Sequence, residues 1–157
     1  MGNNDLYQIL KRIAEALERL APSTRPENDL TLASAFVWHA DCEWLQPVQH
    51  VNRVDLTLLK GIDRQIETLK DNTQRFANGL PANNALLWGA RGTGKSSLVK
   101  AIHTEINCKE AGALILIEVH REDIPSLPRL LMYLRDRKNR FLLFCDDLSF
   151  DVKDDSY

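Results

Sequence analysis

Apolar residues near the start of the chain recur at three- and four-residue intervals, which is the spacing of one face of an α-helix. The predicted helix begins at an N-cap, Asn4 or Asp5, and ends near Ala21-Pro22. Its apolar stripe consists of Leu6, Ile9, Leu10, Ile13, Leu17 and Leu20. We expect this stripe to pack on the rest of the chain, and a partner-binding amphipathic helix is the alternative.

The same periodicity predicts three further helices. The first begins after Gly61, with Asp63 in its first turn, and stops at Asn78-Gly79; Ile62, Ile66, Leu69 and Phe76 share one face. The second runs from Lys95 to about Asn107 and buries Leu98, Ile102 and Ile106. The third runs from about Ser126 to Arg135, with Leu127, Leu130, Leu131 and Leu134 inward.

Short continuous apolar runs between these helices predict buried strands at residues 85–88, 113–119 and 141–145. Strands that alternate with helices at this spacing indicate a parallel α/β sheet. The stretch before residue 60 is less regular, and residues 36–38 and 48–51 favour a small hairpin there.

Composition and charge narrow the class of protein. The chain has 157 residues, a formal net charge of −2 and an ordinary hydrophobic content of 44%. This gives no electrostatic signature for nucleic acid, and no apolar run is long enough to cross a membrane. The three cysteines are widely spaced and the first residues lack a secretion signal, so we expect a cytoplasmic protein.

Residues 89–96 carry the clearest chemical signal. The spacing G-x-x-x-x-G-K-[ST] is met by Gly89, Gly94, Lys95 and Ser96, between a predicted strand and a predicted helix. In such a loop, backbone N–H groups curl around a phosphate, the lysine spans the β- and γ-phosphates, and the hydroxyl reaches Mg²⁺. The sequence therefore predicts an ATP and Mg²⁺ site formed by Gly89, Ala90, Arg91, Gly92, Thr93, Gly94, Lys95, Ser96 and Ser97.

Two acids follow the predicted strand at residues 141–145. Parallel strands present their carboxyl ends at the same edge of a sheet, so we expect Asp146 to hold Mg²⁺ beside Ser96, through a water molecule. Asp147 is placed to polarise the attacking water, which makes Lys95 and Asp147 the predicted catalytic residues. The alternative is that both acids are solvated loop residues. For Asp147 the pattern favours neither the catalytic role nor the solvated one.

Other candidates are weaker. Arg91 resembles an arginine finger, but an exposed position in the loop favours a solvated side chain. A metal site at His39, Cys42 and His50 lacks a fourth ligand at regular spacing. The remaining histidines, His103 and His120, are expected to be structural.

Three segments, residues 59–65, 83–98 and 141–150, resemble the bacterial family called domain of unknown function 815, which looks like a branch of the AAA+ ATPases. The resemblance is strong from about residue 54 onward and weaker over residues 36–51. It implies a three-layer P-loop NTPase fold of AAA+ type, with a parallel sheet of strand order 5-1-4-3-2. It also implies that Leu59, Gly61 and Ile62 line an adenine pocket, that ATP is preferred to GTP, and that the complete protein is a homo-oligomer.

The resemblance further suggests two regions: an N-terminal extension of helix, linker and hairpin over residues 1–53, and the first part of an ATP-binding domain over residues 54–157. In the implied order the fourth strand separates the first from the third, and the sequence stops at Tyr157 before it. A chain ending there is expected to be a fragment, with unpaired strands at residues 85–88 and 141–145, weak ATP binding and negligible hydrolysis.

Three functions are compatible with these patterns. The first is Mg²⁺-dependent ATP hydrolysis by an AAA+-like module that acts on an unknown protein partner. The second is a switch or adaptor that binds ATP without hydrolysing it, with Asp147 not acting as a base. The third, a small-molecule kinase, shares the loop but has no recognisable acceptor-site or lid segment.

Overall fold

The computed structural model describes residues 3–20, 28–49, 51, 54–90, 92–109, 112–146 and 148, and in the first helix it describes the side chains of residues 7–16. The helices are α1 (Asn3–Leu20), α2 (Asp63–Ala77), α3 (Lys95–Lys109) and α4 (Leu127–Arg135). The strands are β1 (Ala35–His39), β2 (Trp44–Pro47), β3 (Ile115–Val119) and β4 (Phe141–Cys145). Short 3₁₀ turns lie at Leu56–Leu58 and Arg121–Ser126.

The four strands form one open, mostly parallel sheet in the order β2-β1-β3-β4. Strand β3 pairs in parallel with β1 on one side and with β4 on the other, and β1 pairs antiparallel with β2. The predicted mixed α/β architecture is therefore confirmed.

Alternation along the strands gives the sheet two apolar faces, each covered by a helix. On one face, Phe36 of β1 and Ile117 of β3 pack in a cluster with Leu130 and Leu134 of α4. On the other face, Ala35 and Leu116 pack with Val99 of α3. Because neighbouring strand residues point to opposite sides, a single run such as Ile115–Val119 contributes to both cores.

Helix α2 packs on α3 through the side chains that the periodicity predicted. Ile62, Ile66 and Leu69 contact the buried Leu98, Ile102 and Ile106. Gly79 follows the helix with a φ of +76°, a left-handed conformation that glycine adopts without steric cost. The predicted stop at Asn78-Gly79 is confirmed.

The strand predicted at residues 85–88 is not formed. These residues are irregular, and the side chains of Leu86 and Trp88 are 72% and 88% exposed. A strand needs a hydrogen-bonding neighbour, and residues 85–88 pair with none of the four described strands, not even at the open edge of β4. The apolar composition was therefore not enough to specify a strand here.

Three further expectations need correction. The second hairpin strand is Trp44–Pro47 rather than residues 48–51; only Val48 extends the pairing, through its N–H to the Ala35 carbonyl at 2.8 Å. Strand β4 is half-buried along its whole length because it lies at an edge of the sheet. Leu131 is 51% exposed, because the 3.6-residue period turns it away from the face that Leu130 and Leu134 bury.

Helix α1 leaves the described part of its apolar stripe uncovered. Every side chain from residue 7 to residue 16 is exposed, so the expected packing of Ile9, Leu10 and Ile13 on the rest of the described chain is not observed. None of the helices in the described ranges is long and apolar enough to span a membrane. The division of the chain near residue 53 stays a prediction, and the hairpin before it belongs to the same sheet as β3 and β4.

Candidate functional site

A glycine-rich loop, described here for residues 89–90 and 92–94, leads directly into the first turn of α3. Gly92 and Gly94 both have φ of +81°, a conformation that other residues rarely adopt. At Gly94 a Cβ atom would also lie only 3.1 Å from Cδ2 of Leu59. The backbone of this loop therefore requires glycine for its conformation and, at Gly94, for space.

The N-terminus of α3 faces this loop. The first helical hydrogen bond runs from the Leu98 N–H to the Gly94 carbonyl at 2.8 Å. The N–H groups of Lys95, Ser96 and Ser97 precede that bond, so they have no partner within the helix, and the helix dipole adds partial positive charge there. A loop that ends in such a helix N-terminus is suited to an anion.

The Lys95 side chain lies back over the loop. Its ammonium group donates to the Gly89 carbonyl at 3.0 Å and to the Ala90 carbonyl at 2.8 Å. Thr93 closes the same turn, since its hydroxyl donates to the Ala90 carbonyl at 2.8 Å. The lysine thus places a positive charge at the loop.

Ser96 and Asp146 are in direct contact although 50 residues separate them in sequence. The Ser96 hydroxyl is 2.8 Å from Oδ1 and 2.7 Å from Oδ2 of Asp146, a bifurcated arrangement between two half-buried side chains. The contact forms because Asp146 directly follows β4, whose carboxyl end lies beside the start of α3. Hydroxyl and carboxylate oxygens are the ligand types that Mg²⁺ prefers, so this pair fits the predicted metal role.

The segment expected to form an adenine pocket also lies near the loop. Leu59 and Ile62 pack on the α3 cluster that contains Leu98, and Leu59 approaches Gly94. Gly61 between them has a φ of +79°, which turns the chain into α2. The structure therefore brings this segment, the glycine-rich loop and Asp146 together around the first turn of α3. Arg91 and Asp147 lie outside the described residues.

The metal site considered at His39, Cys42 and His50 gains no support. The His39 ring stacks on Trp44, with centroids 5.7 Å apart, and its Nε2 is 2.7 Å from Oε1 of Gln46. His50 lies outside the described part of the chain. Within that part, no group of three or more His, Cys, Asp or Glu side chains could hold a metal ion.

The sequence analysis did not predict an ion pair that lies one helical turn after Ser96 on α3. Lys100 of α3 and Glu118 of β3 are 2.9 Å apart, both largely buried, and the Lys100 ammonium lies 6.0 Å from the centre of the Phe144 ring. Phe144 precedes Asp146 by two residues, so the pair fixes α3 on the strands that position the site. The available signal was Glu118 itself, a charged residue inside an apolar strand.

His103 has the structural role that was expected. It is 1% exposed, and its Nε2 lies 3.0 Å from the Leu114 carbonyl, which ties α3 to the start of β3. Burial lowers the pKa of its imidazole. The same end of α3, away from the loop, borders a cavity of about 410 Å³ that His103 and Asn107 help to line.

The protein-family comparison gives a match over residues 31–157, to a model described as Protein of unknown function (DUF815). The chain belongs to the DUF815 family. The DUF815 match includes the whole four-stranded sheet, the glycine-rich loop and Asp146, whereas α1 precedes it. Neither the comparison with curated proteins nor the comparison with solved structures found a match.

Proposed function

We propose that this DUF815 chain binds ATP with Mg²⁺ at the glycine-rich loop and belongs to the AAA+-like P-loop NTPases. The observation that carries the proposal is the contact of Ser96 with both carboxylate oxygens of Asp146. Neither residue type is unusual alone, but a hydroxyl on the first turn after such a loop and an acid at the end of a neighbouring strand are the two protein groups that a Mg²⁺-phosphate site uses.

The loop groups have distinct roles in this proposal. The N–H groups of the loop and of the first turn of α3 hold the phosphates, and Lys95 exchanges its bonds to the Gly89 and Ala90 carbonyls for phosphate oxygens. Ser96 is a direct Mg²⁺ ligand and Asp146 holds the ion through water. Leu59, Gly61 and Ile62 form the adenine side, which their position next to the loop supports.

We further propose that this AAA+-like module hydrolyses ATP, with Asp147 polarising the attacking water, and uses the reaction to act on a protein partner in the cytoplasm. Assembly into a homo-oligomer, in which a neighbouring subunit contributes an arginine, rests on the resemblance to AAA+ proteins alone. Hydrolysis builds negative charge on the oxygen that bridges the β- and γ-phosphates as its bond to the γ-phosphorus breaks, and Lys95 is the described cation best placed to stabilise that charge.

A second function, an ATP-dependent switch without hydrolysis, is favoured by one observation. Residues 85–88 enter the loop as an irregular segment in which Leu86 and Trp88 are exposed and only Leu87 packs on the sheet. Nucleotide bound at the loop can therefore order this neighbouring segment. In that case a partner recognises the ordered segment. An Asp147→Asn variant separates the two functions: lost turnover with retained ATP affinity supports hydrolysis, whereas unchanged turnover contradicts a base at this position.

The binding site itself is tested with Lys95→Ala, measured by calorimetric titration of Mg-ATP into the intact protein. Loss of a charge-assisted hydrogen bond worth about 1.5–3 kcal/mol raises the dissociation constant roughly 10- to 100-fold. Lys109→Ala is the matched control, because Lys109 is an exposed lysine at the opposite end of the same helix. An unchanged dissociation constant for Lys95→Ala would show that ATP, if bound, is not held by this loop.

A further inference from the structure

Helix α1 exposes large apolar side chains. Ile9, Leu10 and Ile13 are 49–56% exposed and Tyr7 is 63% exposed. Most of the stability of a protein helix comes from packing of its apolar face. The apolar face of this helix is uncovered over residues 7–16, where the described part of the same chain provides no partner surface, so it needs one from elsewhere.

The spacing of the apolar residues specifies the kind of partner. They follow one another at intervals of four, three, four and three residues, the alternation of the core positions of a helix-on-helix seam. The residues in this register are Leu6, Leu10, Ile13, Leu17 and Leu20. A 4-3 alternation with leucine or isoleucine at every position is suited to the regular holes of a second helix.

The residues on either side of this seam permit a second copy of the same helix. Charged residues at these flanking positions normally set partner choice, and like charges there oppose pairing of identical helices. Here the flanking positions carry only uncharged residues: Tyr7, Ile9, Ala14 and Ala16. Two identical helices therefore meet without like-charge repulsion beside the seam, and the alanines allow close approach.

The polar side of α1 argues against a membrane surface as the partner. Helices that lie on anionic lipid carry an excess of Lys and Arg on the polar face. In α1 the three basic residues are balanced by three acidic ones, namely Lys11, Arg12 and Arg19 against Asp5, Glu15 and Glu18. A balanced polar face is compatible with contact between copies of one protein.

We propose that α1 is a self-association element, through which copies of this chain assemble by packing their apolar stripes together. The element precedes the DUF815 match at residues 31–157 and shares no residue with the glycine-rich loop. It therefore brings copies together independently of nucleotide.

The proposal is tested by light scattering coupled to gel filtration, on the full chain without nucleotide and over a wide range of protein concentration. The expected mass is a multiple of the 17.9 kDa chain and rises with concentration. The variant Leu10→Gln/Ile13→Gln is expected to have the mass of one chain, 17.9 kDa, throughout. Glutamine has nearly the helix propensity of leucine, so the substitutions add little intrinsic helix penalty, and both positions are exposed and outside the sheet, so they leave the four-stranded sheet in place.

The matched control is Lys11→Gln/Glu15→Gln, which introduces the same residue twice on the polar side and keeps the net charge. It is expected to associate like the parent chain. As a second measurement that needs no variant, the helical circular dichroism of the parent is expected to rise with concentration.

Three results would overturn the proposal. The first is a parent chain that stays at 17.9 kDa with constant helicity at every concentration. The second is an apolar-stripe variant that associates as well as the control. The third is a monomeric parent that binds phosphatidylcholine–phosphatidylserine vesicles through Leu10 and Ile13, which would assign the stripe to lipid instead.

Discussion

The contact between Ser96 and Asp146 depends on how helix α3 packs against the sheet. The serine lies on the first turn of α3 and the aspartate directly follows β4, so their 2.7–2.8 Å separation depends on correct packing of α3 against the sheet. Lys100 and Glu118 secure that packing one helical turn further on. Substitutions at these residues therefore separate the metal role from the fold.

Replacement of Ser96 by alanine is expected to weaken Mg-ATP binding about tenfold and to leave ATP binding in EDTA nearly unchanged. The reason is that the hydroxyl is proposed to contact the ion, whereas the phosphates are held by backbone N–H groups and Lys95. Titration calorimetry with and without Mg²⁺ measures both values. Thr104→Ala, which removes a hydroxyl two turns further along α3, is the control. An equal loss of affinity in EDTA for Ser96→Ala would assign the Ser96 hydroxyl to the phosphates.

His103 makes the stability of the protein depend on pH. Burial holds the folded-state pKa of this imidazole below its ordinary value of 6.5, so the unfolded chain takes up the proton first as the pH falls. The buried neutral imidazole contributes fully to the free energy of unfolding above pH 6.5. This contribution is lost as the pH falls from 6.5 through the folded-state pKa, and the free energy of unfolding then drops by at most about 1.4 kcal/mol per pH unit. The measurement is the free energy of unfolding in urea at pH 7.5, 6.5 and 5.5, pH values chosen to span about one unit either side of the ordinary pKa.

Two variants identify the source of this pH dependence. His103→Gln is expected to be less stable at pH 7.5 but to have a flatter profile. His120→Gln, at an exposed histidine, should keep the profile of the parent chain. If His103→Gln and the parent lose stability in parallel on acidification, another group is responsible.

At the scale of elements, helix α4 offers an internal comparison between a buried and an exposed leucine. Leu130 is 0% exposed within the cluster of Phe36 and Ile117, and its neighbour Leu131 is 51% exposed. Leu130→Ala is expected to lower the free energy of unfolding by about 2–5 kcal/mol, and Leu131→Ala by roughly 0.5 kcal/mol or less. Urea unfolding of both variants measures the difference, and equal losses would contradict the packing of α4.

The elements that the sequence predicted well are those whose local pattern and surroundings agree. Strand β4 is a continuous apolar run, β3 is apolar at every position except Glu118, and α3 has both a start signal and a buried stripe. Residues 85–88 have an equally apolar run, but strand formation depends on a hydrogen-bonding neighbour that no local pattern encodes. The exposure of Leu131 and the position of β2 depend in the same way on tertiary packing, which local periodicity does not determine.

The sequence pointed to more of the residues at the candidate site than of the contacts that support them. The loop spacing pointed to Lys95 and Ser96, and the position after an apolar strand pointed to Asp146. The structure places Ser96 and Asp146 in contact, while their role in binding stays a prediction. The ion pair of Lys100 and Glu118 was missed because its members are distant in sequence and neither belongs to a recognised motif. The spacing of a motif predicts functional residues that are close in sequence. Contacts between distant elements depend on the tertiary structure and cannot be predicted from such spacing.

At the scale of the whole molecule, β3 is the centre of the structure. It has a parallel neighbour on each side, α3 covers one face and α4 the other, and four of its five residues are buried. The loop and α1 lie at the opposite extreme, with exposed side chains and few apolar contacts. Local opening is therefore easiest in α1 and in the segment before the loop, and hardest in β3.

The contrast between two tryptophans has a practical consequence. Trp38 is 2% exposed and its indole N–H donates to the Ser126 hydroxyl at 2.7 Å, whereas Trp88 is 88% exposed and adjoins Gly89. A collisional quencher such as iodide reaches the second indole and not the first. The third tryptophan, Trp44, is half-buried and stacks on His39, so Trp88 is the most accessible of the three indoles. Iodide quenching of Trp88 thus offers a label-free optical test of the nucleotide binding that we propose at the loop.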